Sequence, residues 1–365
     1  MIGTLTVTSS HVVCSSVDVR RDGSYCILSE SQVAFPGIRK GRNVSGFGLQ
    51  TAVAQAVGEA EEIAKGRIKE LHVGVPGAFC EVQVSSSLAQ ADGYGEQTVP
   101  QAHEYMNDTF ELIHRMPWPN KGLAQYGRGD SISILARRDY IAEINRALDT
   151  LRMRPAAFYS QNLAEGLYII PRSSREQVAI LLNVGYYNSN ICIFLGDVQI
   201  YGATLYLGGA HIASDLAYVL ELDRSQAEQL TRQFAFGIHY ESDAQDYIRM
   251  PDGKLSAFEH QEVEQIILSR MDEICVLMGQ AVEQSGFPIT ESTVAYLLGD
   301  GLRDLRGSRE YISAQIGIPV KGLPLAINDG ATRYETASLA LLELLLQKRG
   351  AQTKQSRFFN RFARK

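Results

Sequence analysis

Leu181-Leu182-Asn183-Val184-Gly185-Tyr186-Tyr187-Asn188-Ser189-Asn190-Ile191 joins two runs rich in β-branched and aliphatic residues, Val178–Asn183 and Ile191–Phe194, through a polar stretch that opens on glycine. Such runs, separated by Gly, Asn and Ser, predict a β-hairpin. Downstream, Val198–Leu205 reads as a further strand and Gly208-Gly209 breaks it. A helix is expected to open near Ser214-Asp215 and to lead into an all-helical stretch up to about Gln284. Sheet returns at Ser292–Leu298, turns at Gly299-Asp300-Gly301 and gives way to another helix.

The N-terminal part has a similar order of elements. Thr4–Val19 and Tyr25–Leu28 are β-rich, and Leu49–Ala64 carries Leu49, Val53, Val57 and Ala60 on one face of a 3.6-residue helix. Strand Glu70–Val75 follows and ends at Pro76-Gly77. A helix between two strands implies a parallel or mixed sheet. Gly93, Gly95, Pro117, Pro119 and Gly122 mark a change of subdomain, after which strand Ser131–Leu135 and helix Asp139–Leu151 are expected.

Composition narrows the function. The 365 residues, 45% apolar and 21% charged, suffice for two lobes with a sizeable core. A net charge of −6 argues against a general nucleic-acid binder, which needs a basic excess to neutralise phosphates. The five cysteines are odd in number and far apart, without a CxxC pair, and read as reduced, mostly buried thiols of a cytosolic protein. No apolar run reaches the roughly 18 to 20 residues that span a bilayer, and no basic-then-apolar leader opens the sequence. The seven histidines are scattered, and no Ser/His/Asp or paired-carboxylate set stands out. Trp118, between Pro117 and Pro119, reads as a local packing residue, with a partner anchor as the alternative.

Four segments in order resemble the FtsA family. Phe35–Gly41 with the following helix and Ile68–Gly77 is similar to its early part, and Leu181–Ile191 stands where the family has its second phosphate hairpin. Gly208–Ala217 with Ala227-Glu228 resembles the segment on the ribose and adenine side, and Ala295–Gly307 resembles the adenosine turn. The resemblance implies an α/β, actin-like, two-lobe fold of the duplicated ribonuclease H-like kind, with an inserted FtsA-type subdomain. It assigns 1–85 to the first lobe, 86–160 to the insert, and 161–348 to the rest of the first lobe and the second lobe. It also implies an ATP or ADP cleft formed by Ser9, Ser10, Gly185, Asn188, Ser189, Gly208, Gly209, Glu228, Gly299 and Gly301. Glycine suits such a cleft because backbone N–H groups approach phosphate with no Cβ in the way.

The departures from the family bear on chemistry. Thr6 stands where the first hairpin has its acid, Asn183 and Asn190 replace two acids of the second, and Tyr186 and Tyr187 replace two glycines. Amides in place of carboxylates remove charge from a site that must hold Mg2+ through oxygen. The expectation is a retained fold with weak or lost hydrolysis, not a working enzyme, and no catalytic or metal-ligating residue is assigned.

After a linker at 349–356, the tail 357–365 places Phe358, Phe359 and Phe362 on one helical face with Arg357, Arg361, Arg364 and Lys365 around it. It resembles the membrane-targeting helix of FtsA. Each phenyl ring contributes about 1.5–3 kcal/mol if fully inserted and each basic residue about 1 kcal/mol at an anionic leaflet, so one tail binds reversibly and self-assembly tightens it. The resemblance therefore implies a cytoplasmic division adaptor, peripheral on the inner face of the cell membrane, that meets FtsZ and associates with itself. Two other readings stay open: a scaffold of type IV pilus assembly like PilM, which Tyr140–Ala164 resembles, and a sugar-kinase-like enzyme.

Overall fold

The structure, a computed structural model, describes residues 1–20, 25–39, 42–43, 46–85, 108–119, 131–250, 253–322 and 336–348. Its first sheet starts from β1 (Ile2–Val7), β2 (His11–Val19) and β3 (Tyr25–Ala34), an antiparallel meander. A short ribbon, β4 (Ile38–Arg39) with β5 (Arg42–Asn43), leads into α1 (Gly46–Ile63). Next, β6 (Glu70–Val75) lies parallel to β1. Three strands then form a separate antiparallel sheet in the order β7-β9-β8: β7 (Cys80–Ser85), β8 (Phe110–Pro117) and β9 (Ser131–Arg137). Helix α2 (Arg138–Asp149) returns the chain to the first sheet, where β10 (Pro155–Ser160) pairs parallel with β6. The first sheet thus runs β10-β6-β1-β2-β3.

The second sheet repeats this plan. After α3 (Gln161–Ile169) and α4 (Arg172–Arg175), β11 (Ala179–Val184), β12 (Ser189–Leu195) and β13 (Val198–Leu205) form another antiparallel meander. Helices α5 (Gly209–Val219) and α6 (Arg224–Gln233), hairpin β14 (Gln245–Arg249) with β15 (Leu255–Glu259), and α7 (His260–Gln284) follow. Then β16 (Val294–Leu298) pairs parallel with β11, and after α8 (Ser308–Ile316), β17 (Val320–Lys321) pairs parallel with β16. The order β13-β12-β11-β16-β17 matches the first sheet strand for strand. Helix α9 (336–348) carries the chain back to the first lobe. This is the two-lobe α/β actin-like plan.

Alternation along buried strands explains the layering. Ile180, Leu182, Ile191 and Ile193 join Ile212, Leu216, Ile267 and Met271 of α5 and α7 in one core. Their neighbours Leu181, Cys192 and Phe194 face the other way, onto Leu163 of α3. A strand covered on both faces reads as a continuous apolar run, as Ala179–Leu182 does. In the first lobe, Leu5, Val7 and Val73 pack with Val53 and Val57 of α1 and with Ile144 and Leu148 of α2. On the opposite face Ile2 and Val17 meet Leu341, Leu342 and Leu345 of α9. There, Ser338 Oγ lies 2.9 Å from Thr4 Oγ1 and 2.6 Å from Ser15 Oγ, so the hydroxyls satisfy one another under the helix.

Several elements differ from the sequence reading. The expected all-helical stretch is interrupted by the β14–β15 hairpin, which turns near Gly253 at φ +84°. Helix α5 opens at Gly209 and not near Ser214, because carbonyls of the preceding hairpin cap its first N–H groups. Strand β10 stands between α2 and α3 within the Tyr140–Ala164 stretch. Trp118 is 8% exposed and sits in the second lobe's core, a packing position. All five cysteines are free: Cys14, Cys192 and Cys275 are buried, and burial pushes Cys80 and Cys275 up to about 12. Of the expected 86–160 insert, 86–107 and 120–130 lie outside the described residues, as do the linker 349–356 and all of the tail 357–365.

Candidate functional cleft

Between the lobes lies a cleft of about 680 Å³, lined from the first lobe by the β1–β2 turn (Thr8, Ser9, His11), Gly77 and α3 (Asn162, Glu165), and from the second by Asn183, Gly185, Asn188, Asn190, Gly299 and Asp300. These residues come from the first hairpin of each β-meander, from the segments that follow the parallel strands β6 and β16, and from the helix after β10, so equivalent parts of both lobes face one cleft.

Of the residues expected to form this site, Ser9, Gly185, Asn188 and Gly299 line the cleft. The others surround it. Ser10 turns away, with Oγ 2.9 Å from His11 Nδ1, and Ser189 is fully buried, donating to Leu207 O at 2.7 Å. Gly208, Gly209 and Gly301 stand where backbones touch: a Cβ on Gly208 or Gly301 would overlap Gly185 O, and one on Gly209 would overlap Gly301 O. Glu228 accepts from Tyr186 Oη and, at 3.2 Å, from Arg224 Nε. Thr6 is fully buried.

Several amides of these loops are engaged within the protein. Gly185 N donates to Asn188 O at 2.9 Å, Gly209 N to Gly185 O at 3.1 Å, Ala210 N to Tyr186 O at 2.8 Å and Gly301 N to Val184 O at 2.9 Å. Gly208 N donates to His211 Nδ1 at 3.1 Å, which makes His211 a cap of α5. Burial lowers the His211 imidazole below its ordinary value, against the raising effect of the Gly208 carbonyl oxygen, 3.2 Å from Nδ1. Burial likewise lowers His11, opposed by the carboxylate of Asp300.

The two amides that replace acids are satisfied within the protein. Asn183 Nδ2 donates to Glu165 Oε2 at 2.8 Å, and Asn190 Oδ1 accepts from Thr204 Oγ1 at 2.8 Å. Glu165 is 5% exposed on α3 and supplies a cleft carboxylate that sequence reading missed. The available signal was a glutamate within the run Leu163-Ala164-Glu165-Gly166-Leu167, which has too few polar positions for a solvated helix face. Among the described residues, no group of three or more His, Cys, Asp or Glu is placed to hold a metal ion.

This set departs from a magnesium nucleotide site in its two hairpin acids, both of which are amides bonded within the protein. At the hairpin turns, Gly185 N donates to Asn188 O at 2.9 Å, Tyr187 N to Ser9 Oγ at 3.1 Å and Ser10 N to Thr8 Oγ1 at 3.3 Å, so three of the amides that a phosphate would use bond within the protein. The 208–209 and 299–301 loops touch at Gly209 and Gly301, with no room for a Cβ between them. Glu228, expected on the ribose side, is held by a phenol and two guanidinium groups, Arg224 and Arg232.

No family model matches the chain. Among curated proteins it is similar to the cell division protein FtsA of Pseudomonas aeruginosa, 20% identical over 353 residues that cover 90% of this chain and 84% of the relative. It is also 21% identical over 370 residues to FtsA of Rhizobium meliloti, covering 89% and 83%. Among solved structures, the PilM-PilN type IV pilus biogenesis complex superposes with a TM-score of 0.60 at 16% identity, covering 88% of each chain. MreB5 of Spiroplasma citri bound to ADP gives 0.58 at 10% identity, covering 97% and 99%. The solved structures share the actin-like two-lobe fold, and along nine-tenths of its length the chain is similar in sequence to FtsA.

Proposed function

We propose that this protein is a cell-division adaptor that links FtsZ filaments to the inner face of the cell membrane, associates with itself, and does so without turning over ATP. The observation that carries this reading is similarity to FtsA along nine-tenths of the chain. The replacement of both hairpin acids by Asn183 and Asn190, whose amides bond to Glu165 and Thr204, supports the loss of turnover. The membrane contact is assigned to Arg357, Phe358, Phe359, Arg361, Phe362, Arg364 and Lys365, whose apolar face and basic flanks suit an anionic bilayer.

The test is sedimentation with liposomes of anionic or neutral lipid, comparing the full chain with one ending at Ser356, with and without FtsZ. Binding of the full chain to anionic vesicles, lost on truncation, with FtsZ brought down only alongside the full chain, is the expected result. Equal sedimentation of the two forms would remove the tail from the account. Membrane binding without FtsZ recruitment would favour the second reading, a pilus-assembly scaffold, which rests on the superposition with PilM.

A further inference from the structure

We propose that the turn carrying Tyr186 and Tyr187 is an internal ligand: it occupies the joint between the lobes and holds them closed in the absence of any nucleotide. The inference rests on the geometry of the cleft and is independent of which partner or surface the protein serves.

Three contacts cross from this turn to the first lobe. Tyr187 N donates to Ser9 Oγ at 3.1 Å, Asn188 Nδ2 donates to Ile38 O at 3.1 Å, and Arg39 Nη2 donates to Tyr187 Oη at 2.9 Å. The Arg39 guanidinium also lies 4.4 Å from the centre of the Tyr187 ring, within cation–π range. Gly37, at φ +101°, lets the first-lobe backbone close on this ring: a Cβ there would come within 2.9 Å of Tyr187 Cε2. The path continues into the second lobe. Tyr187 meets Tyr186 edge-on at 4.7 Å, and the Arg224 guanidinium sits 5.1 Å from the Tyr186 ring while its Nε donates to Tyr186 Oη at 3.0 Å. Tyr186 Oη in turn donates to Glu228.

A mobile ligand bridging two lobes supplies acceptors to turn amides, an apolar ring for packing, and groups that bond the ribose-side acid. The turn supplies each of these covalently. Carbonyls of Gly185 and Tyr186 accept from the first turn of α5, two aromatic rings meet edge-on beside the cleft with Arg39 of the first lobe over one of them, and a phenol bonds Glu228. Neither tyrosine has a positive φ, so the side chains impose no backbone strain. Because the ligand is part of the chain, closure does not depend on ligand concentration, whereas a bound nucleotide would make stability concentration-dependent.

The experiment uses the full chain. Thermal unfolding is followed with ATP and ADP at millimolar concentration, with and without Mg2+, and amide exchange is followed at Ile38, whose N–H bonds Ser9 O, and at Gly185. The expected result is an unmoved wild-type midpoint in every nucleotide condition. In Tyr187→Ala and in Arg39→Ala, exchange at Ile38 and Gly185 is expected to rise about tenfold, while the β6 amides, away from the joint, exchange as in wild type. Tyr187→Phe, which keeps the ring and loses the hydroxyl, should fall between. A wild-type midpoint that rises with either nucleotide overturns the proposal, as does unchanged exchange at both amides in Tyr187→Ala. If Tyr187→Ala does not fold, Tyr187→Phe and the wild-type nucleotide series decide the matter by the same criteria.

Discussion

Asn183 shows how one atom type changes what the cleft can do. Its Nδ2 donates to the buried Glu165 carboxylate at 2.8 Å, a bond that an aspartate could not make. Restoring an acid by Asn183→Asp would place two carboxylates in contact in a poorly solvated site. We expect the variant to lose about 1–3 kcal/mol at pH 7, to recover part of it as the pair takes up a shared proton on acidification, and to gain no hydrolysis. Urea unfolding at pH 7 and pH 5, with a phosphate-release assay, checks all three.

His114 gives the wild-type protein a pH dependence of its own. Its ring is 5% exposed, Nε2 accepts from Ser160 N at 3.1 Å, and Lys348 Nζ lies 3.3 Å from Nδ1. Burial first, and the Lys348 cation second, lower its pKa from 6.5 to about 3. The unfolded chain therefore binds a proton that the folded chain refuses. The stability contributed by the neutral ring is complete above about pH 6.5 and drains away as pH falls toward 3, by up to about 1.4 kcal/mol per pH unit. His114→Gln keeps an acceptor for Ser160 N and removes the titration, so its urea midpoint should decline less steeply than wild type between pH 7 and pH 4.5.

At the scale of elements, α3 and β12 meet in a tight joint at Gly166. A Cβ on Gly166 would overlap the ring of Phe194, and Phe194 is fully buried with no space to retreat into. Gly166→Ala should cost about 3 kcal/mol, and Phe194→Leu in the same chain should recover part of that loss. Denaturant midpoints of the single and double variants measure it. Under α9, Ser338→Ala removes a hydroxyl shared by Thr4 and Ser15 and should cost about 1–2 kcal/mol.

The same elements show what the sequence made legible. The β11–β12 hairpin, α1 and β6 were readable because each carries its own periodicity or boundary residues. The β14–β15 hairpin was not. Tyr247 and Leu255 are exposed and its flanks are charged, so the alternation that marks a half-buried strand is weak there. From the sequence, the glycines of the cleft are expected to let backbone N–H groups approach phosphate; in the structure, what approaches Gly208, Gly209 and Gly301 is other backbone, information that lies in tertiary packing. Arg39, Arg224 and Glu165 meet the cleft residues across long stretches of chain, with no spacing rule to announce them.

For the molecule as a whole, the two sheets repeat one plan, and the β7-β9-β8 sheet ties them together. Val82, Met116, Trp118 and Ile132 of that sheet and the segment after β8 pack in the core of the second lobe, although the chain reaches them between β6 and α2 of the first. Helix α9 adds a second tie by returning to β1 and β2. With cores interlocked in this way, the lobes should unfold together. Circular dichroism and tyrosine-region absorbance are expected to give one shared urea midpoint, and two separate transitions would show that the ties are weaker than the lobes.

Trp118 is the only tryptophan in the chain. Its indole, carried by the first lobe and buried in the second, turns the protein into its own optical gauge. Any event that pries the joining sheet from the second lobe must bring that single fluorophore into water and shift its emission to the red, while events confined to the tail leave the spectrum still. Docking on a vesicle or a filament can thus be watched, without a label, for whether it stays at the surface or is felt in the interior.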